Sequence, residues 1–293
     1  MFKKIILIPV VSIVILICIY LILLYNNNRA ADYPQGAQIE RQLESSIQWL
    51  LDHEADVLQQ NNAMLWWMLY EAQKIRPDER LAGLLNQYFQ RYRGIRESSW
   101  GPLFGGQPRT YLGSFSVNGL PYYNQHFVYA LNCAADIARE LPIVSQQNEA
   151  SFCHQAKYIY RPACTTHQLM GVNFLLTRQC EFFSGKNAVI RALQQDIVLQ
   201  LRWDVRVVDV YLQRVLMLLM SGAQSSVKPV WIHQVLDHQL EDGGWGDFDP
   251  LVGVGSGKFL GFSSRIFSIR KEKSSFHATA QGVYILSYLL SVK

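Results

Sequence analysis

Three catalytic signatures are missing from this chain. It has no Gly-x-x-x-x-Gly-Lys-Ser/Thr phosphate loop, no nucleophile elbow and no His-Glu-x-x-His helix, which removes P-loop nucleotide hydrolysis, α/β-hydrolase chemistry and zincin-type proteolysis from consideration. An excess of one charge is missing as well. Lys and Arg number 27 against 23 Asp and Glu, and Lys3 and Lys4 supply half of the net charge of +4, so the remainder has no electrostatic footprint for nucleic acid. Only one long apolar run escapes interruption by charge. A second candidate, Val205 to Met220, contains Arg206, Asp209 and Arg214 and reads as a buried helix of a folded domain rather than a membrane span.

The uninterrupted run is Ile5 to Tyr25, behind Lys3 and Lys4. At about 1.5 Å per residue it reaches roughly 31 Å, the thickness of a bilayer core. The expectation is a spanning helix rather than a cleaved signal peptide, because the exit Tyr25-Asn26-Asn27-Asn28-Arg29-Ala30 lacks a small-x-small cleavage pattern. Lys3 and Lys4 outweigh Arg29, which places the short amino end in the cytoplasm, the helix in the inner (cytoplasmic) membrane, and the main domain in a periplasm or its equivalent. Three parts follow: residues 1–25 as cytoplasmic stub and anchor, 26–36 as a linker, and 37–293 as an extracytoplasmic domain long enough to bury a large core. That domain holds Cys133, Cys153, Cys164 and Cys180, an even number in an oxidising compartment, so two disulfides are expected. Cys153 with Cys164 closes a short loop, and Cys133 with Cys180 joins two neighbouring helices. The other use of these residues is zinc held by Cys153-His154 and Cys164-x-x-His167, whose spacing is only partly finger-like.

From Ile39 onward helical periodicity hardly stops. Ile39 to Leu58, Asp78 to Arg93, Gln146 to Tyr160, Asn187 to Trp203 and Trp231 to Leu240 read as helices with one apolar face. Between them, Ala63 to Lys74, Asn124 to Glu140, His167 to Phe183, Val205 to Met220 and Ser275 to Leu290 are apolar nearly all round. A helix apolar on every side touches protein on every side, so half-buried and wholly buried helices alternate in about five pairs. The fold class expected is all-α: a transmembrane helix followed by an α/α toroid of outer and inner helices. An α-solenoid gives a similar pattern, and no strict repeat period separates the two. Two connections, Gly94 to Tyr123 and Gly243 to Ser274, are too long for ordinary turns and read as functional loops. Val117-Asn118-Gly119-Leu120 suggests a hairpin turn in the first, and Phe259 to Ile269 is a stretch able to pair with itself in the second.

The turn Asp242-Gly243-Gly244-Trp245-Gly246, following a helix that ends near Gln239, resembles the QW-type repeat of squalene and oxidosqualene cyclases and, more loosely, of protein prenyltransferases. The resemblance implies an α/α toroid. The acid motif of those enzymes, an Asp-x-Asp-Asp run, is absent, so terpene chemistry is not implied.

The two long loops look related. Each begins with Trp-Gly (Trp100-Gly101 and Trp245-Gly246), and each delivers the chain to an inner helix with a histidine near its start, His126 or His277. Cys164-Thr165-Thr166-His167 is a shorter third copy. Inner helices of a toroid run in one direction, so their first turns ring one mouth, and His126, His167 and His277 are expected to face a common space. A three-histidine metal site follows as an alternative to histidines that merely cap or pack their helices; no cofactor is expected.

Asn124-Gln125-His126-Phe127-Val128-Tyr129 is similar to the Asn-x-His-x-x-Tyr run of alginate-lyase-like polysaccharide lyases, which also fold as incomplete toroids. The similarity implies Asn124 as neutraliser of a uronate carboxylate and His126 and Tyr129 as base and acid of a β-elimination, with Arg109 or Arg265 as a further carboxylate binder. His277 joins the catalytic candidates through its loop. Trp100, Trp245, Asp242 and Asp247 join the substrate-binding candidates, since Asp242, Asp247 and Asp249 supply paired carboxylates for glycoside hydrolysis, or else cap turns. Trp66, Trp67, Tyr70, Tyr122 and Tyr123 suit either a sugar-binding cleft or a core.

Three functions compete. The first is a membrane-anchored envelope module that binds a ligand or an assembly partner. The second is a polysaccharide lyase or glycoside hydrolase of the envelope, and the third an isoprenoid- or lipid-binding toroid, which requires an apolar cavity. The membrane is the one partner the sequence specifies; a polysaccharide or an envelope protein is the possible second.

Overall fold

The computed structural model describes residues 2–111, 115–154, 161–265 and 267–292. These are mostly helical, with thirteen α-helices and one small three-stranded sheet among them. The all-α expectation therefore needs the sheet added. It lies in the second long loop: β1 (Phe248–Gly255), β2 (Lys258–Ser263) and β3 (Phe267–Arg270) form an antiparallel meander, with Phe259 opposite Arg270 and Leu260 opposite Ile269. Aromatic and β-branched residues on two adjacent short runs favour this pairing over another helix. In the first long loop Gly119 turns with φ of 81° and the Leu120 amide donates to the Val117 carbonyl at 3.2 Å, but no strand flanks the turn among the described residues.

The first helix, α1 (Phe2–Asn28), contains the one stretch long and apolar enough to cross a membrane among the described residues. After it come α2 (Gly36–Asp52), α3 (Glu54–Val57), α4 (Ala63–Ile75) and α5 (Glu79–Arg91). Side-chain caps fix three helix starts: Asn62 accepts from the Met64 amide, Asp78 from the Arg80 and Leu81 amides, and Ser275 from the Ala278 amide. The expected helix Asn124 to Glu140 is two, α6 (Tyr122–Asn132) and α7 (Ala135–Glu140), split where Cys133 takes a left-handed φ of 48°. In place of Gln146 to Tyr160 the chain makes α8 (Pro142–Gln146) and a 3-10 turn, Ala150–Phe152; residues 155–160 lie outside the described residues. The remaining helices are α9 (Cys164–Thr177), α10 (Lys186–Trp203), α11 (Asp209–Met220), α12 (Pro229–Asp237) and α13 (Phe276–Ser291).

Burial alternates along this series. α4, α9, α11 and α13 are buried on nearly every side, whereas α2, α5 and α10 bury one stripe each. α13 packs against α4, α2 and α11, and α9 against α6, α10 and α11. Arg214, within α11, is fully buried and donates to Asp204 at 2.8 Å and Gln200 at 3.1 Å. A paired, hydrogen-bonded guanidinium can be held inside a protein core, where a lipid setting would have left it unpaired.

Both expected disulfides are present, Cys133–Cys180 and Cys153–Cys164, with Cα separations of 5.3 and 5.6 Å. Residues 26–36, expected as a linker, are helical through Asn28, irregular from Arg29 to Gln35, and helical again at Gly36, where α2 begins. Asn27 is buried: its side-chain amide donates to the Leu201 carbonyl at 2.6 Å, its side-chain oxygen accepts from Tyr211 at 2.9 Å, and its backbone carbonyl accepts from Trp231 at 2.9 Å. The end of α1 is thus held within the core by three hydrogen bonds through Asn27.

Candidate functional site

The first turns of α4, α6, α9, α11 and α13 open onto one cavity of about 510 Å³. Its lining includes Asn62 and Met64 from the start of α4, Tyr123 and Asn124 from α6, Cys164 and His167 from α9, Asp209 from α11 and His277 from α13. Buried Met64, Leu65, Met68, Phe127 and Met170 supply apolar surface, and exposed Arg161 and Arg265 supply cations. Five helix starts contribute partial positive charge in the same direction. This volume lies in the ordinary range of ligand sites, about 300 to 1,000 Å³.

Of the three histidines, two reach this space. His277 places Nδ1 3.3 Å from Asp209 Oδ2, and its Nε2 accepts from the Gln281 amide at 3.2 Å. His167 donates from Nδ1 to the Ala163 carbonyl at 2.7 Å, stacks on Tyr123 with centroids 4.3 Å apart, and lines the cavity. Burial holds its pKa down to about 4, so His167 is a neutral acceptor there.

His126 goes elsewhere. It is fully buried, its Nε2 bonds Asn148 Oδ1 at 3.1 Å, and its Nδ1 lies against Gly171 on α9 with no hydrogen-bond partner. Burial pushes its pKa down to about 4. Tyr129 is buried too and accepts from the Asn148 amide at 2.9 Å. A base and an acid sealed from solvent cannot touch a polymer, so Asn124, His126 and Tyr129 do not form an elimination site: only Asn124 lines the cavity. The three-histidine metal set also fails, because His126 spends its Nε2 on Asn148 away from the other two.

The acidic turn serves structure. Asp242 accepts from Trp49 Nε1 at 3.1 Å, the Gly244 amide at 3.0 Å and Ser274 Oγ at 2.6 Å. Asp247 pairs with Arg270 at 3.2 Å, and Asp249 accepts from the Val207 amide at 3.0 Å. Trp245 is buried, donates to the Val235 carbonyl at 2.8 Å and lies against Gly282. The indole folds back on the helix it has just left, as Gly243 with φ of 90° permits; it is not available to a substrate. Trp100 is half-buried at the edge of the core, and the Arg109 amide donates to Asn132 at 3.0 Å, outside the cavity lining. Trp66 and Trp67 are core, while Tyr122 and Tyr123 line the cavity.

Sequence reasoning passed over Asp209, Arg161 and Asn148. Asp209 carried a signal, a single acid in the first turn of a mostly apolar helix. Asn148 carried none, since its partners are 22 and 19 residues away. Comparison with protein-family models, with curated proteins and with solved structures returned no match.

Proposed function

We propose that this chain is a single-pass envelope protein, anchored in the inner membrane with its amino end cytoplasmic, whose outer domain is an α/α toroid that binds an anionic, partly apolar ligand at its mouth. The toroid reading is supported by a chain of neighbours among the buried helices, α6 to α9 to α11 to α13 to α4, and by the 3-10 turn Gly101–Phe104, which touches both α4 and α6. Thr177, Met220 and Tyr284 line a second cavity, of about 440 Å³, with residues from the later parts of α4 and α6. The resemblance to QW-type turns points the same way, and two disulfides fit an oxidising compartment.

The observation that carries the ligand is the lining of the mouth: Arg161 and Arg265 at its edge, with Met64, Met68 and Met170 within. Guanidinium groups bind carboxylate and phosphate through paired hydrogen bonds, and the methionines accept an apolar group. Calorimetric titration of the full chain in nanodiscs with octyl phosphate, octyl glucuronide and neutral octyl glucoside tests this. The anionic amphiphiles are expected to bind and the neutral one not, with the phosphate and uronate arms identifying the head group. Arg161→Ala/Arg265→Ala should weaken binding about tenfold or more; unchanged affinity refutes the reading.

One observation favours a catalytic alternative. The Asp209 carboxylate beside His277 Nδ1 orients an imidazole at the mouth, as general bases are oriented. Turnover of an acidic polysaccharide by the wild type, lost in His277→Ala, would establish it; equal turnover by both would remove it.

A further inference from the structure

The last carbonyls of α10 are taken by α1. A helix end leaves its final carbonyls without intrahelical donors, and here Asn27 donates to Leu201, Asn28 to Arg202 at 2.8 Å and Tyr20 to Trp203 at 2.9 Å. Tyr20 lies inside the apolar run that ends at Tyr25, about 7 Å before its end at about 1.5 Å per residue. The backbone of Trp203 therefore sits at the depth of the last apolar turns of α1. A carbonyl near hydrocarbon has no water to bond, and the tyrosine hydroxyl supplies the donor.

The side chains at that level match such a setting. Leu199, Arg202 and Trp203 share one face of α10 at three- and four-residue spacing; Leu199 is 50% exposed, Trp203 51%, and Arg202 is exposed as well. Trp at a membrane interface keeps its ring in the headgroup layer, leucine buries in the acyl boundary and arginine reaches lipid phosphate. The mouth lies at the same end. Directly after Trp203 the chain runs to Asp209 in the cavity lining, and on the way Arg206 donates to the Ser264 carbonyl at 3.3 Å, tying this segment to the sheet. Exposed Val252, Phe267 and Ile269 of that sheet add apolar surface.

We propose that the Leu199–Arg202–Trp203 face of α10 rests in the interfacial layer of the bilayer, so that the mouth opens at headgroup level. This rests on the reading of α1 as a membrane span. The full chain is reconstituted in phosphatidylcholine vesicles with or without brominated acyl chains, and Trp203 emission is taken as wild type minus Trp203→Phe. Brominated lipid should quench that component, and aqueous iodide should leave it. Leu199→Trp in the Trp203→Phe background gives a second reporter on the same face, with the same expectation. Quenching of both reporters by iodide and of neither by brominated lipid overturns the docking while the anchor stands. Release of the chain from vesicles by alkaline carbonate overturns the anchor and the docking with it.

Discussion

The two Trp-Gly loops start alike and end differently. Trp100 is half-buried just before a 3-10 turn and leads to α6, where His126 is sealed; Trp245 is buried against α12 and α13 and precedes a β-meander that leads to α13, where His277 meets Asp209 at the cavity. The cause is the side of the helix on which each ring lies. His277, the second residue of α13, meets Asp209 at the cavity, whereas His126, the fifth of α6, faces Gly171 of α9 and Asn148. Depth along the helix does not decide it, since Phe127, the sixth residue of α6, and Gln213, the fifth of α11, both line the cavity. A histidine near a helix start meets the common rim only when it lies on the cavity side, which its distance from the helix boundary does not give.

Experiments on the two regions should separate them, beginning with covalent constraint. Cys133–Cys180 ties α6 and its surroundings across 47 residues, while no disulfide crosses the second loop. Cys133→Ser/Cys180→Ser should lower stability by about 4 kcal/mol and Cys153→Ser/Cys164→Ser by about 3, from loop length, measured by urea unfolding. The α6 region should gain amide exchange most.

Acid should act through the two buried rings, His126 and His167. His126 has a folded pKa of about 4 against an ordinary 6.5. The unfolded chain therefore takes up the proton first, and stability is complete above about pH 6.5 and lost as pH falls toward 4, by on the order of 3 kcal/mol. His126→Gln should remove about half of the acid loss in that range, because His167, also buried with a pKa of about 4, contributes the other half. If the variant keeps the wild-type slope, the burial of His126 is wrong.

Each region also depends on a glycine that leaves room for a ring. A Cβ at Gly171 would enter the His126 imidazole, and one at Gly282 the Trp245 indole. Gly171→Ala and Gly282→Ala should each cost about 2 to 3 kcal/mol through displaced core side chains, with Gly282→Ala also shifting the Trp245 fluorescence. The smallest effect belongs to the mouth: His277→Ala should change stability by about 0.5 kcal/mol or less, since its pair with Asp209 is partly solvated, and thermal melts check it.

Much of the architecture was legible because it follows from burial. Apolar residues on every side of α4, α9, α11 and α13, against one stripe on α2, α5 and α10, gave the alternation of helices, and charges at Arg206, Asp209 and Arg214 separated α11 from a membrane span. Cysteine parity and compartment led to both disulfides. The site was legible in outline only. That helix starts share a rim follows from their common direction, and Asn124, His167, His277 and Arg265 do line it. The role of Trp245 was not legible: its loop suggested a substrate contact, whereas the indole is buried against its own preceding helix. Asn148, which takes His126 and Tyr129 out of reach, acts across the fold and leaves no local pattern. Neither did the sequence reveal that Tyr20, Asn27 and Asn28 close the end of α10, because a helix end finds its donors in space.

The contrast between His126 and His277 is tested most directly by diethyl pyrocarbonate modification of the full chain at neutral pH, with each histidine followed by peptide mass mapping. His277 should be carbethoxylated early, and His126 should stay unmodified until the fold is opened with denaturant. Modification of His126 at the rate of His277 in the native protein would contradict the account of the mouth and of the helix starts that form it.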